Sequence, residues 1–269
     1  MGEHRINAPF RKALTGAAGL AMVLFAQSAS AATLVSLVGG NTLFLVNTDT
    51  RQVTKAVTVQ GASGLVGIDV RPSDGKLYGI TSDGTIVTID SATGAATTKG
   101  KLQVMVPVEV MVTVDFNPAA DRLRVMGSDG TSLRANLDDG AVTKDGSHKY
   151  ADVDMNKGKT AKIGAGAYTN SYKGTKETIL YDIDVPMDVL VKQAPPNDGT
   201  LNTVGKLGVN AKGPVAFDIE SDGKMGNKGW MVADNTLYSV NLDNGKASRL
   251  GKIDGTAEPI TDIAVWPKM

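Results

Sequence analysis

A two-strand unit with a tight turn recurs along the chain, and few folds can accommodate such a repeat. The segment KLYGITSDGTIVTID (76–90) matches RLRVMGSDGTSLRAN (122–136), and the same plan appears in GWMVADNTLYSVN (229–241) and TLVSLVGGNTLFLVN (33–47). A further unit, TILYDIDVPMDVLVK (178–192), keeps the strand pattern without the glycine turn. Because Gly and Asn tolerate the positive φ angles of tight hairpin turns, these segments predict a series of β-hairpins.

The distribution of the units predicts a closed ring. Another short strand precedes each hairpin except the one that begins at Thr33, whose counterpart is DIAVWP (262–267) at the other end of the chain. Equivalent positions are separated by 43 to 53 residues around the circle: Asp69, Asp115, Tyr168, Asp218 and Ala264. A repeat divided between the termini is typical of a propeller in which the last strand completes the first sheet.

We therefore predict an all-β fold, a five-bladed β-propeller closed by pairing of the C-terminal strand with the N-terminal hairpin. The outermost strands would include AATTKGKL (95–102) and ASRLGKI (247–253). The alternative is a β-sandwich in which the hairpins are similar by chance, since Ser-Asp-Gly turns are common in all-β proteins. The absence of long apolar stretches of helical period after residue 31 disfavours α/β folds.

Residues 1–31 have the features of a signal peptide, and residues 32–269 form the predicted propeller domain. A basic start at 5–12 precedes an apolar run at 13–26, and Ala29-Ser30-Ala31 has the small residues of a cleavage site. The apolar run is too short to span a bilayer comfortably. We expect a periplasmic or extracellular protein with no stable membrane insertion after signal cleavage.

Composition limits the possible partners. Residues 32–269 contain 25 basic and 27 acidic residues. With no basic surplus to neutralise a phosphate backbone, we expect no nucleic-acid binding. The chain has no cysteine, which excludes disulfides and attachment of lipid through an N-terminal cysteine. We expect a monomer stabilised by its own core.

The segment LYDIDVPMDVLVKQAPPNDGTLNTVGKLG (180–208) resembles domain-of-unknown-function family 4394, which occurs in exported bacterial proteins. LVSLVGGNTLFLVNTDT (34–50), LVGIDVRPSDGKLYGI (65–80) and VDFNPAADRLRV (114–125) are similar to the same family. The resemblance covers nearly all of residues 32–269. It implies a secreted, propeller-like repeat domain and implies no particular activity.

No catalytic residue or cofactor site is recognised in the sequence. The predicted mature chain has one histidine, His148, in the stretch KDGSHKY, and we expect this side chain to be a solvated loop residue. A lone histidine cannot form a multi-histidine zinc or iron site, and no sequence neighbour marks a nucleophile. We assign no catalytic residue and expect no cofactor.

Carboxylates are the remaining reactive groups. Asp69, Asp115 and Asp218 occupy equivalent inner-strand positions, where they would either bind a hard cation such as calcium or accept backbone N–H bonds, and we favour the structural role. Glu220 and Glu258 lie at or just before inner strands. These two are candidates for the paired carboxyls of a glycosidase, although few aromatic residues are available to bind a sugar.

The stretch DVDMNKG (152–158) has the alternating Asp152, Asp154 and Asn156 of a calcium loop. It departs from the EF-hand pattern because the glycine comes one residue late and Ile163 replaces the bidentate glutamate. A turn that links two blades is the favoured interpretation.

The best ligand-binding candidates lie at the predicted inner-strand ends, where five residues of different chemistry would line one mouth of the channel: Arg71, Asn117, Asn170, Glu220 and Trp266. The loop APPNDGTLNTVG (194–205), with Asn197 and Asp198 at its turn, would either contact a ligand or lock the outer strand of its blade.

These observations favour an exported, non-catalytic propeller that binds a small ligand, a surface polymer or a protein partner at one channel mouth. The alternative is a carboxylate-based hydrolase or lyase, with or without calcium, at the same mouth. A third hypothesis is a structural component with no specific ligand.

Overall fold

The strands of this protein form five small, mainly antiparallel sheets, as seen in a computed structural model that describes residues 1–2, 31–107 and 109–267. The predicted signal peptide therefore falls almost entirely outside the described residues. All described strands belong to one compact unit, Ala31–Met269. Among the described residues, no helix has both the length and the apolar character needed to cross a bilayer.

The strands follow one another blade by blade along the chain. Blade 1 begins with β1 (Thr33–Val38), β2 (Thr42–Asn47) and β3 (Val53–Thr58). Blade 2 contains β4 (Leu65–Val70), β5 (Leu77–Thr81), β6 (Thr85–Ile89) and β7 (Ala96–Lys101). Blade 3 contains β8 (Val112–Asn117), β9 (Arg122–Gly127), β10 (Ser132–Ala135) and β11 (Val142–Lys144).

The second half of the chain forms the remaining blades and then returns to the first. Blade 4 contains β12 (Lys149–Tyr150), β13 (Ile163–Tyr168), β14 (Leu180–Asp184), β15 (Val189–Gln193) and β16 (Thr200–Lys206). Blade 5 contains β17 (Val215–Ser221), β18 (Asn227–Ala233), β19 (Thr236–Val240) and β20 (Ala247–Lys252), and β21 (Ile260–Trp266) follows. A single 3-10 turn, Pro196–Asp198, lies between β15 and β16.

The predicted closure of the ring is confirmed. β21 pairs antiparallel with β1, so that Trp266 lies opposite Thr33 and Asp262 opposite Leu37. This pairing places β21 as the inner strand of blade 1, in the order β21-β1-β2-β3. The five inner strands contact one another in sequence around the axis. The fold is the predicted five-bladed β-propeller, in which closure leaves only short strand edges around the axis.

The core lies between the blades. Five clusters of buried apolar side chains each combine residues from two adjacent blades. Leu34 fills the interface of blades 5 and 1, and Phe116 that of blades 2 and 3, and both are fully buried. Burial of such a side chain stabilises the fold by about 1.5–3 kcal/mol. Successive apolar residues of a strand, such as Leu34 and Val35, therefore pack against different neighbouring blades.

The hairpin turns have the backbone geometry that the sequence predicted. Gly39 and Gly40 both have positive φ angles, 58° and 69°, between β1 and β2. Asp234 and Asn235 have φ angles of 47° and 51° at the equivalent turn of blade 5. The β18–β19 turn is a two-residue hairpin, in which two successive positive φ angles match the right-handed strand twist, whereas the β1–β2 loop has three residues, Gly39 to Asn41.

The alignment of blade 4 with the other blades is corrected by one residue. The backbone N–H of Tyr168 donates to Asp115, just as Phe116 N–H donates to Asp69 and Val265 N–H donates to Asp218. Ala167, rather than Tyr168, therefore stands at the aspartate position. Blade 4 has neither the proline that follows the inner strands of blades 1, 2 and 3 nor the inner-strand aspartate that aligns blade 5.

Candidate functional site

The ends of the inner strands surround a cavity of about 460 Å³ at one end of the propeller axis. Glu220 from β17 and Trp266 from β21 line its wall, while Asp69 and Asp218 lie at its inner end. The loops of blades 2, 4 and 5 complete the rim with Pro72, Gly75, Tyr172, Lys173 and Asp222. We call this cavity, with these lining residues, the polar mouth.

Of the five predicted strand-end residues, only Glu220 and Trp266 line the polar mouth. Arg71 forms a bidentate ion pair with Asp121, at 2.8 and 2.6 Å. Asn117 accepts the backbone N–H groups of Ala119 and Ala120 in its own turn. These two side chains stabilise loops of blades 2 and 3 instead of facing the mouth.

Asn170 has a different structural role. Its backbone N–H donates to the side-chain oxygen of Asn227 at 2.8 Å, and the Asn227 amide donates back to Asn170 Oδ1 at 2.8 Å. This reciprocal pair joins the β13–β14 loop to blade 5. Asn170 thereby lines a separate cavity of about 600 Å³ between blades 4 and 5, the side groove, which also includes Tyr181, Asp243 and Lys246.

Glu220 is held in place at the polar mouth by blade 5. Its Oε2 accepts the indole N–H of Trp230 at 3.1 Å, and the Lys228 ammonium lies 3.9 Å from the centre of the Trp230 ring. Trp230 is itself buried between blades 5 and 1. The orientation of the Glu220 carboxylate is therefore set before any ligand arrives.

Glu220 and Glu258 cannot act as a pair of carboxyls. Glu220 lies at the end of β17, whereas Glu258 precedes the start of β21 and approaches Gly39 at the opposite end of the axis. Seven residues of extended chain separate these two levels, or about 20 Å. Paired glycosidase carboxyls lie less than about 10 Å apart. The suggestion that these residues form one site is wrong.

Three aspartates converge on the axis below the polar mouth. Carboxylate oxygens of Asp69, Asp115 and Asp218 lie within 4.8 Å of one another, and all three residues are buried. Asp69 accepts N–H bonds from Val70 at 2.6 Å and from Phe116 at 2.8 Å. In this way the carboxylate connects its own inner strand to that of the next blade.

The same bridge recurs elsewhere in the ring. Asp218 accepts the N–H groups of Ile219 and Val265, and Asp262 accepts those of Ile263 and Ile68. The predicted structural role of these aspartates is what the hydrogen bonds show. The sequence comparison did not single out Asp262, because it lies two residues before Ala264, the position aligned with the other aspartates. Residues two positions apart on a strand lie on the same face, so Asp262 shares the face of that position.

Burial dominates the electrostatics of this cluster. Desolvation raises the pKa of Asp69 and of Asp115 well above its ordinary value, and the charges of neighbouring aspartates raise both further. Desolvation also raises the pKa of Asp218, to about 6. Adjacent buried carboxylates cannot all remain ionised without shared protons or a cation.

Sequence reasoning missed the residues of the rim loops, Tyr172, Lys173 and Asp222. The loop between β13 and β14 runs from 169 to 179 and is longer than the corresponding loops of blades 2 and 3, at 71–76 and 118–121. The length of this loop could have identified it in the sequence as part of a binding site, since long loops on a rigid scaffold often contact ligands. Tyr172 is positioned there by a contact of its hydroxyl with Met225 Sδ at 3.5 Å.

His148 is not solvated, which corrects the sequence prediction. Both ring nitrogens are buried and have no hydrogen-bond partner among the described residues. Burial, with the positive charge of Arg124, lowers the pKa of His148 to about 4, so the ring is neutral near pH 7. The segment that carries it packs against residues 197–199 instead of crossing open solvent.

The loop of Asn197 and Asp198 locks the outer part of blade 4. Asn197 Oδ1 accepts a hydrogen bond from Arg124 Nη2 at 2.8 Å, and the Asn197 carbonyl accepts Gly146 N–H at 2.9 Å. β12 then adds to β16 as a parallel fifth strand. Neither Asn197 nor Asp198 lines the polar mouth. The locking role is therefore the one that the contacts support.

The axis also opens at its other end, into a cavity of about 300 Å³ lined by all five blades. Its walls include Leu65, Val112, Val215 and Met111, with glycines and Thr261 between them. We call this cavity the apolar mouth. The two ends of the channel therefore differ in chemistry, and charged side chains gather only at the polar mouth among the described lining residues.

Comparison with known proteins identifies the family and leaves the ligand open. No curated protein matches the chain. A solved structure of a protein of unknown function from Bacteroides caccae is 13% identical, with a TM-score of 0.44 over 82% of this chain and 73% of that one.

Two solved auxiliary nutrient binding proteins are also similar. The one from Bacteroides ovatus ATCC 8483 is 18% identical, with a TM-score of 0.46 over 80% of this chain and 54% of that one. The one from Bacteroides thetaiotaomicron VPI-5482 is 13% identical, with a TM-score of 0.45 over 77% and 52%. The chain thus spans about half the length of these two proteins.

The family model "Domain of unknown function (DUF4394)" matches residues 42–264. This match runs from β2 to β21 and so includes all five blades. The resemblance noted in the sequence is confirmed, and the chain belongs to the DUF4394 family.

Proposed function

We propose that this protein is an exported, non-catalytic binding module that takes a small polar ligand at the polar mouth. The observation that carries the proposal is the convergence of Trp266, Glu220 and Lys173 from three blades on one cavity of about 460 Å³. A cavity of this size, with an aromatic wall and a few convergent polar groups, is typical of small-molecule sites.

The state of the carboxyls supports binding rather than catalysis. Asp69 and Asp218 are buried and already accept backbone N–H bonds from two blades. Glu220 is held by Trp230. A general acid and base must instead be free to exchange protons with a substrate. The groups around the polar mouth are arranged to hold a ligand by fixed hydrogen bonds and by contact with the Trp266 ring.

Thermal unfolding in the presence of candidate ligands tests the proposal. Neutral monosaccharides and free amino acids are the first probes, because both offer several hydrogen-bonding groups within the available volume. A ligand that binds the native state must raise the unfolding temperature. We expect stabilisation by at least one of these probes, with a change in tryptophan fluorescence, since Trp230 is buried and Trp266 faces the cavity.

Two lysine variants locate the site. Lys173→Ala removes a cation from the polar mouth, and Lys246→Ala removes one from the side groove. Both lysines are exposed, so neither change should disturb folding. We expect Lys173→Ala to reduce the thermal shift and Lys246→Ala to leave it unchanged. The reverse result would place the ligand in the side groove, and no shift with any probe would count against the proposed ligand class.

One observation favours the second candidate, a carboxylate-dependent hydrolase or lyase assisted by calcium. The oxygens of Asp69, Asp115 and Asp218 are close enough together to contact one hard cation. The same thermal assay with millimolar calcium separates the two functions. Stabilisation that disappears in Asp115→Asn would support the metal-assisted function, and the absence of any shift would leave the cluster with its bridging role alone.

A further inference from the structure

The loop between β12 and β13 exposes two large apolar side chains to solvent. Val153 is 96% exposed and Met155 is 84% exposed. Within residues 31–107 and 109–267, no other large hydrophobic residue is more than 50% exposed. We call residues 152–159 the blade 4 tip. Exposed apolar side chains that lie together on a surface are typical of sites that meet a partner or a membrane.

The blade 4 tip is an ordered structure with an inner and an outer side. The carboxylate of Asp154 accepts Thr203 N–H at 2.6 Å and the Thr203 hydroxyl at 2.9 Å. Asn156 is buried and donates to the Thr203 hydroxyl at 2.9 Å. Residues 154 and 156 face β16, whereas Val153, which precedes them, and Met155, which lies between them, are directed outward.

These contacts also account for the calcium-like pattern of this segment. Asn156 Oδ1 accepts the Lys159 ammonium at 2.9 Å, so a lysine supplies the positive charge at this oxygen. Asp152 is exposed and pairs with Lys157 at 3.1 Å. The segment is a turn, as predicted, but it joins β12 to β13, which are both strands of blade 4, and so does not itself link two blades. Asp154 and Asn156 anchor it to β16.

Exposed lysines lie close in sequence to the apolar side chains. Residues 149–162 contain four exposed lysines: Lys149, Lys157, Lys159 and Lys162. Two aspartates lie in the same stretch, and one of them, Asp154, is turned toward Thr203. The segment has a formal charge of +2, whereas the whole chain has a net charge of zero. Residues 152–159 alone are neutral, and the surplus comes from Lys149 and Lys162, which flank the blade 4 tip in the sequence and are exposed. The blade 4 tip and these two flanking lysines therefore combine outward aliphatic groups with a local basic surplus.

We propose that the blade 4 tip is a peripheral membrane contact, which adsorbs reversibly to an anionic lipid surface through Val153 and Met155. Lysine is depleted in protein–protein interfaces, but lysines next to a negatively charged bilayer strengthen association. Aliphatic side chains at such a site enter the boundary between head groups and acyl chains. The chemistry of the tip therefore matches an anionic bilayer better than a protein surface.

Vesicle sedimentation tests the proposal with the chain from Ala32 onward, which contains every described strand. The probes are vesicles of phosphatidylglycerol and phosphatidylethanolamine, compared with vesicles of phosphatidylcholine alone. We expect binding to the anionic vesicles only. Binding should fall at about 1 M salt, where charges are screened over about 3 Å.

The double variant Val153→Ser, Met155→Ser should weaken vesicle binding by about tenfold or more, because two aliphatic side chains no longer leave water. The matched control is Leu250→Ser on β20, which changes an exposed aliphatic residue of another blade. It should bind like the native chain, and equal unfolding temperatures would show that all three chains are folded.

Two results would overturn the proposal. The first is the absence of binding of the native chain to anionic vesicles at low salt, which is also the outcome if the tip contacts a protein. The second is equal binding by the native chain and the double variant, which would show that another surface meets the lipid.

Discussion

The free energy of unfolding should depend on pH through Asp182, a carboxyl that lacks any hydrogen-bond partner among the described residues. Asp182 lies on β14 opposite Gly166, with the Met126 side chain beside that glycine, in the interface of blades 3 and 4. Burial raises its pKa to about 8, and the charge of Arg124 offsets this only in part. The perturbation is Asp182→Asn, which keeps the shape and cannot ionise.

The direction and the size of this pH dependence follow from the pKa of Asp182 in the folded and in the unfolded state. The folded state keeps the proton up to about pH 8, whereas the unfolded chain loses it near 3.8. Stability from this group is therefore full below about pH 4 and is lost as the pH rises toward 8. Each pH unit in that window costs about 1.4 kcal/mol. Between pH 5 and pH 7 the native chain should lose about 3 kcal/mol relative to Asp182→Asn.

Urea unfolding at several pH values between 5 and 8 measures this difference directly. The axial aspartates also titrate, but they are present in both chains, so their contribution cancels in the comparison. A difference between Asp182→Asn and the native chain that stays constant with pH would refute the reasoning, because it would mean that Asp182 is hydrated or paired in solution.

Two further predictions concern the ring and its largest buried cation. Deletion of 261–269 removes most of β21 and leaves blade 1 without its inner strand, so we expect loss of the cooperative thermal transition by circular dichroism; a truncated chain that melts like the native one would contradict ring closure. Arg124→Met should lower the free energy of urea unfolding by about 3–5 kcal/mol, because the buried Asp145 loses a 2.6 Å ion pair. Arg134→Met is the matched change, since Arg134 also pairs with Asp145 but its side chain is 31% exposed, and it should cost about 1 kcal/mol.

The architecture could be predicted from the sequence because the signals for it are local. Turn residues such as Asp234-Asn235 and Gly39-Gly40 require positive φ angles, which identifies hairpins without knowledge of their neighbours. The regular spacing of the hairpins then implied a ring, and the lone strand at 262–267 implied where the ring closes. The one-residue error arose in blade 4, which lacks both the proline and the inner-strand aspartate that align the other blades.

The site was less predictable, because side-chain direction depends on partners from other blades. Five strand-end residues looked equivalent in the sequence, yet only Glu220 and Trp266 face the polar mouth. Arg71 is turned away by Asp121, 50 residues further along, and Asn170 is turned away by Asn227, 57 residues further along. His148 was expected in solvent, but both of its ring nitrogens are buried, and its segment is hydrogen-bonded to a loop that follows it by some 50 residues.

The sequence by itself thus determined the number of blades, their turns and the way the ring closes. Only the tertiary structure decided which polar groups reach a cavity, which ones join neighbouring blades, and which apolar ones remain in water. The physical reason is the range of the interactions. Backbone pairing within a hairpin involves residues a few positions apart, whereas hydrogen bonds and burial between blades join residues about fifty positions apart, and these appear only when the ring is assembled.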